Sequence, residues 1–339
     1  FTKDYNPAYG GFSYAPKFPR PVQFNFLLQH YHRTGTEHAL DMVLRTLRFM
    51  GDGGIWDHVG GGFHRYATDP AWRVPHFEKM LYDQAQLANT YLDAYLITRK
   101  KQYADVAAQI FNYVLRDMTS PEGGFYSAED ADSIDPYAPE KKSEGAFYLW
   151  TEEEISNVLS KQDAQYFRYR FNIKKSGNAP EDPQGEFKGR NILYVEHTID
   201  EVAEKFKTKR ETVETTLHNS LEKLLKIRKK RERPHLDDKI LVSWNGLMIG
   251  ALARGSVILD DPGLLTAARK SARFIKQELY DTTKKQLNRR YRDGESGLDG
   301  QLDDYAFLVN GLFDLYQADQ DPEWLAWAIK LTQKQIDLF

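Results

Sequence analysis

In this 339-residue chain, four clusters bring histidine, carboxylate and large aromatic residues together, groups that could move a proton or hold a polar ligand. The densest runs Trp56-Asp-His-Val-Gly-Gly-Gly-Phe-His-Arg-Tyr66, continues through Trp72, and closes with Val74-Pro-His-Phe-Glu-Lys-Met-Leu-Tyr-Asp83. The others are Gly124-Phe-Tyr-Ser-Ala-Glu-Asp-Ala-Asp132, His235-Leu-Asp-Asp-Lys239 with Trp244-Asn245, and Asp303-Asp304-Tyr305. Imidazoles exchange protons near neutral pH, and aromatic faces beside carboxylates suit sugars, whose C–H surfaces stack while their hydroxyls hydrogen-bond. Each residue also has a structural alternative. Asp83 and Asp304 can hold the exposed amides near a helix start, Trp56, Trp72 and Trp244 can pack, and His58, His64, His76 and His235 can form structural hydrogen bonds.

Metal and phosphate chemistry fit these clusters less well. His58 and His64 stand six apart across three glycines, and Glu129, Asp130 and Asp132 form a loose acidic series, but neither has zinc-site or EF-hand spacing. Gly60-Gly61-Gly62 is followed by no Gly-Lys-Ser/Thr, so it does not read as a phosphate loop. No metal and no cofactor is expected.

The elements that must position these groups are helical hairpins. Tyr82–Tyr95 aligns without gaps on Asp303–Tyr316, matching at Asp83/Asp304, Ala85/Ala306, Leu87/Leu308, Asn89/Asn310, Asp93/Asp314 and Tyr95/Tyr316, each copy following an Arg-Tyr pair. Reuse of such a unit marks a ring or solenoid of hairpins, and predicts that the two helices start on one rim. Helical stripes recur over Val22, Phe26, Leu27 and Tyr31; over Ala39 to Met50; over Phe77 to Tyr95; and over Tyr103 to Val114. Further helices are expected at Thr212–Arg228, Leu241–Leu259, Gly263–Leu279, Asp304–Gln317 and Glu323–Leu338, with a two-stranded excursion over Asp281–Tyr291.

An insertion at about 125–200 interrupts the hairpins. It should hold an acidic loop (Ser127–Lys142), strands at Ala146–Trp150 and Asn191–Val195, and a helix from Glu152 capped by Thr151 and Glu154. Gly177–Gly189 should be an exposed excursion, and Arg228-Lys-Lys-Arg-Glu-Arg233 a solvated helix end. Three Gly-Gly-Phe triplets, at Gly10, Gly61 and Gly123, mark tight turns out of helices.

A hydrophobic share of 41% supports a large core, and a formal net charge of −3 offers no general basic surface for nucleic acid. No apolar run is long enough to span a bilayer. Disulfides are excluded because the chain has no cysteine, which with the lack of secretory signs leans toward a reducing, cytoplasmic setting. The ending inside a helical pattern suggests a fragment.

Five motifs in order, Gly11–Pro19, Asp57–Tyr66, Val74–Ala88, Gly124–Ser133 and Lys239–Met248, resemble the spermatogenesis-associated protein 20 family, whose bacterial members are called YyaL-like. The resemblance implies an all-α, six-hairpin (α/α)6 toroid similar to sugar epimerases and six-hairpin glycosidases, here incomplete at the C-terminus, with short β excursions on the rim. It also implies an upstream thioredoxin-like domain as an intramolecular partner in full-length relatives. On this fold the leading expectation is a sugar epimerase or isomerase, with His76 and His235 as the acid/base pair and Asp83 or Asp304 orienting one of them. His64, Arg65, Tyr66, Tyr82, Glu129, Asp130, Trp244 and Asn245 would bind the sugar. The alternatives are a glycoside hydrolase using two carboxylates such as Asp130 and Asp304, and a non-catalytic scaffold.

Overall fold

The computed structural model of the protein describes residues 1–179, 185 and 187–339. Among them are twelve helices: α1 (Pro21–Thr34), α2 (Glu37–Asp52), α3 (Leu81–Thr98), α4 (Lys101–Asp117), α5 (Glu152–Val158), α6 (Lys161–Arg170), α7 (Ile199–Phe206), α8 (Arg210–Arg228), α9 (Val242–Ile258), α10 (Pro262–Glu278), α11 (Leu302–Asp319) and α12 (Pro322–Leu338). Two compact units divide the chain, one from 1–19, 34–78 and 130–235, the other from 20–33, 79–129 and 236–339. Helix α1, apart from its last residue, belongs to the second unit, and α2 belongs to the first. None of the described helices is long and apolar enough to cross a membrane.

The second unit consists of α1 and three hairpins, α3/α4, α9/α10 and α11/α12. At the corners, Arg99, Asp260 and Gln320 each take a left-handed conformation with φ between 55° and 60°. One such residue turns the chain out of the first helix, and Asp261 and Asp321 then cap α10 and α12 with a proline at the helix start. The internal repeat extends over whole hairpins, because every boundary of α3/α4 reappears in α11/α12 at the same shift in numbering.

Helix α9 lies against both α3 and α11. The Ser243 amide meets Asp304 near the helix starts, and Gly250 meets Asp314 farther along. Tyr82 likewise touches Trp244, while Asp93 reaches Arg254. These contacts make α3, α9 and α11 parallel, with their N-termini at one end, as the repeat predicts. Helices α9 and α11 approach to backbone contact because a Cβ on Gly246 would lie 2.6 Å from the Leu308 nitrogen, and one on Gly311 would lie 2.1 Å from the Gly246 carbonyl. On α1 the buried face is Phe24, Leu27 and Leu28; Val22 and Phe26 are exposed, so the expected stripe is rotated.

The first unit buries Trp150, Ile155, Phe167, Val202, Val213 and Leu224 in one cluster, and Val74, Phe77, Phe147, Tyr148 and Ile192 in another. Thr151 and Glu154 form the expected capping box. Three other expectations are corrected here. The acidic stretch is a hairpin pairing Asp132–Asp135 with Ala138–Glu144. Strands were expected at Ala146–Trp150 and Asn191–Val195, but Ala146–Leu149 is a turn, and Trp150 and Asn191 meet only in an isolated bridge. The basic run is not uniformly solvated: Arg231 donates to the Phe147 and Leu149 carbonyls at 2.7 and 2.8 Å and pairs with Glu154, which holds that turn together. Part of the Gly177–Gly189 excursion lies outside the described residues. Of the remainder, Asn178 and Phe187 are buried.

Candidate functional site

The residues singled out from sequence divide between the units. His64, Arg65, Tyr66, His76, Asp130 and His235 belong to the first; Tyr82, Asp83, Glu129, Trp244, Asn245 and Asp304 belong to the second.

In the first unit, a short antiparallel pair sets Tyr66 opposite His76, and their rings stack at 4.8 Å. His76 Nδ1 lies 2.7 Å from Glu144 Oε1, and its Nε2 lies 3.7 Å from Glu78 Oε2. Glu78 is tied in turn to Arg65 at 2.7 Å. The hydrogen bond to Glu144 raises the imidazole pKa above its ordinary value, against the opposing effect of burial. Glu144 also accepts the Phe77 amide at 3.2 Å, so one carboxylate fixes the strand and the ring it carries. This arrangement holds Nδ1 and leaves Nε2 half-buried and beyond hydrogen-bonding distance of Glu78, the less engaged of the two ring nitrogens.

Neighbouring groups are more enclosed. His64 is buried, with Nδ1 2.9 Å from the Phe77 carbonyl and its ring against Phe77 and Tyr148. Asp57 and Arg228 form a buried pair with both bonds at 2.7 Å, and Asp57 also accepts the Val59 and Gly60 amides. Gly60 is required there, since a Cβ would stand 2.0 Å from Arg228 Nη2. His64, Asp57, Tyr148 and Arg228 border a cavity of about 20 Å³, room for about one water molecule. The first glycine of the triplet thus makes room for the arginine. His58 touches Phe171 and lies 3.0 Å from the Gly53 carbonyl, and burial pushes its pKa down to about 4. Asp130 and His235 are exposed and joined through the Asp130 amide and the His235 carbonyl.

In the second unit, Lys79–Met80, Ala128–Glu129 and Leu236–Asp237 form a small sheet beside the start of α3. Glu129 is buried and accepts the Tyr113 hydroxyl at 2.6 Å, and Lys79, its partner across the strands, lies over the Tyr113 ring. Tyr82 and Trp244 meet edge to face, 4.8 Å apart and half-exposed. Asp83 is buried at the start of α3. Asn245 spans two chain segments, accepting the Phe125 amide and donating to the Phe125 and Leu241 carbonyls. Asp304 is fully buried; its oxygens accept the Ser243 and Gln301 amides, and Arg289 lies 3.4 Å away. Burial raises its pKa despite these bonds. Its geometry is that of a cap shared by α9 and α11.

Sequence reasoning missed Glu78 and Glu144, the carboxylates beside His76. Glu78 offered a signal, lying two residues on and so on the same face of an extended strand. Glu144 offered none, because its approach depends on the unforeseen 132–144 hairpin.

No family model matches the chain. It is 42% identical to spermatogenesis-associated protein 20 of Homo sapiens over 358 aligned residues, covering 99% of this chain and 45% of that protein. It is 36% identical to an uncharacterized protein of Caenorhabditis elegans, covering 97% of this chain and 48% of the other. The chain thus spans about half the length of the curated relatives it matches. Among solved structures, unsaturated glucuronyl hydrolase from Bacillus sp. GL1 is similar with a TM-score of 0.51 at 12% identity, covering 93% of this chain and 60% of that one. An unsaturated glucuronyl hydrolase specific for heparin gives 0.51 at 9% identity, covering 92% and 60%. At such identities the likeness shows the fold alone, an all-α toroid with short strands.

Proposed function

This chain belongs to the spermatogenesis-associated protein 20 family, and from that premise we propose that it is a carbohydrate-active enzyme of the epimerase or isomerase kind. The observation that carries the reading is His76, stacked on Tyr66, fixed at Nδ1 by Glu144 and open at Nε2 toward Glu78. The toroid fold adds only a prior for sugar chemistry.

In the proposed reaction a base takes the proton from the carbon beside the carbonyl of an open-chain sugar. The C–H electron pair moves into an enediolate, and an acid returns a proton to carbon. His76 is the donating acid, since the hydrogen bond to Glu144 favours its imidazolium form. His235, exposed in the same unit, is the proposed base. Arg65 and Tyr66 are the proposed contacts for sugar hydroxyls and ring face.

The hydrolase reading has less support, because both oxygens of Asp304 are committed to backbone amides. Incubating the protein with free aldoses and ketoses in deuterated water tests the proposal. Epimerisation or isomerisation incorporates deuterium at carbon. Release of reducing ends from glycosides without carbon-bound deuterium would replace it with the hydrolase reading, and neither outcome would leave a binding scaffold.

A further inference from the structure

The repeat that aligns α3 with α11 has one consequence outside the His76 site. On α3, Asn89 and Asp93 lie one helical turn apart and together hold Arg254 of α9. Asn89 Oδ1 takes one guanidinium nitrogen at 2.8 Å, and Asp93 Oδ1 takes the other. The aligned residues of α11 are Asn310 and Asp314, at the same spacing. Among the described residues neither of their side chains has a hydrogen bond or ion pair.

We propose that Asn310 and Asp314 form a second guanidinium-binding pair, the counterpart of the one that holds Arg254, which takes the cation of a small alkylguanidinium or of an arginine side chain from outside the chain. Three observations support it. The same residue pair, in the other copy of the repeat, is already seen binding this chemical group. The α9 residue facing Asp314 is glycine: Asp314 Oδ2 stands 2.7 Å from where a Cβ on Gly250 would lie, so α9 offers no side chain there. The charges acting on Asp314 are Arg254 of α9 and Asp93 of α3, and the three sum to one net negative charge, which one further cation would neutralise.

Burial lifts the Asp314 pKa to about 6, so the carboxylate is mostly ionised at pH 7 and becomes neutral below 6. Binding should therefore weaken as pH falls through that range. Any cation that does bind should lower the Asp314 midpoint.

The test is carboxyl ¹³C NMR, with the Asp314 signal assigned through Asp314→Asn and ionic strength held constant with sodium chloride. Methylguanidinium should shift that signal saturably at pH 7 and move its midpoint to lower pH. Asn310→Leu should weaken binding by about two- to tenfold, the contribution of one hydrogen bond. Agmatine and a blocked Gly-Arg-Gly peptide separate the sources: tighter binding of agmatine points to a free metabolite, and tighter binding of the peptide to a protein partner. An unmoved Asp314 signal with all three probes, in protein whose melting temperature is intact, overturns the proposal. So does unchanged affinity in Asn310→Leu.

Discussion

His58 and His76 lie in one unit and one sequence cluster, yet their surroundings drive them in opposite directions. His58 is packed against Phe171 with a carbonyl as its contact, and burial depresses its pKa to about 4. His76 is half-open, with carboxylates near both ring nitrogens, and its pKa is raised. Desolvation acts on both rings; a carboxylate in hydrogen-bond contact acts on only one. The glycine-rich loop with Asp57, His58 and Arg228 is bound up in internal contacts, while the strand carrying His76 is where the proposed chemistry would lie.

The largest effect is expected at His76. His76→Gln keeps a donor for Glu144 but no titratable proton, and should lower carbon-proton exchange by about 10² to 10⁴ while leaving the melting temperature nearly unchanged. Loss of stability with proportionate loss of activity would move His76 to the framework side. Asp57→Ala should do the reverse. It strands Arg228, buried to 4% exposure of its side chain, and should cost about 3 to 5 kcal/mol in urea unfolding. Retained stability there would dissolve the distinction.

The pH dependence of stability sharpens the same contrast. For His58 the folded pKa lies below the ordinary 6.5, so its stabilisation is complete above 6.5 and is lost as pH falls toward 4, by roughly 3 kcal/mol at most. For His76 the folded pKa lies above 6.5, so its contribution is complete below 6.5 and is lost as pH rises through the folded value. Denaturant midpoints from pH 4.5 to 8 in the parent and in His58→Gln check this. Destabilisation on the acid side should be smaller in the variant, and equal slopes would show that His58 titrates normally.

Local patterns were legible in the sequence, and long-range approaches were not. The repeat, the capping box at Thr151 and the parallel starts of α3 and α11 follow from spacings within a few residues or from copying. Arg228 read as a solvated helix end because its partner Asp57 lies far earlier in the chain. Ala146–Trp150 has the composition of a strand, but Ala146–Leu149 is a turn whose Phe147 and Leu149 carbonyls are held by the distant Arg231. Asp304 shows the limit for the site: an aspartate at a helix start is the same sequence signal whether it caps or catalyses, and only the Ser243 and Gln301 amides on its oxygens reveal the cap.

The smallest effect, and the most diagnostic, is expected at Glu144. It acts through His76, so Glu144→Gln removes the charge while keeping an oxygen that can accept from Nδ1. Glu144 is 28% exposed, and the loss in stability should stay within about 1 kcal/mol. The His76 midpoint, followed by NMR, should fall toward the ordinary imidazole value, because the largest cause of its elevation is gone. If His76 is the donating acid, the alkaline limb of the exchange-rate profile should move to lower pH by the same amount. A purely structural Glu144 would lower the rate at every pH without moving that limb. A His76 midpoint that falls while the limb stays fixed would show that another group supplies the proton, and would place His76 beside His58 in the framework.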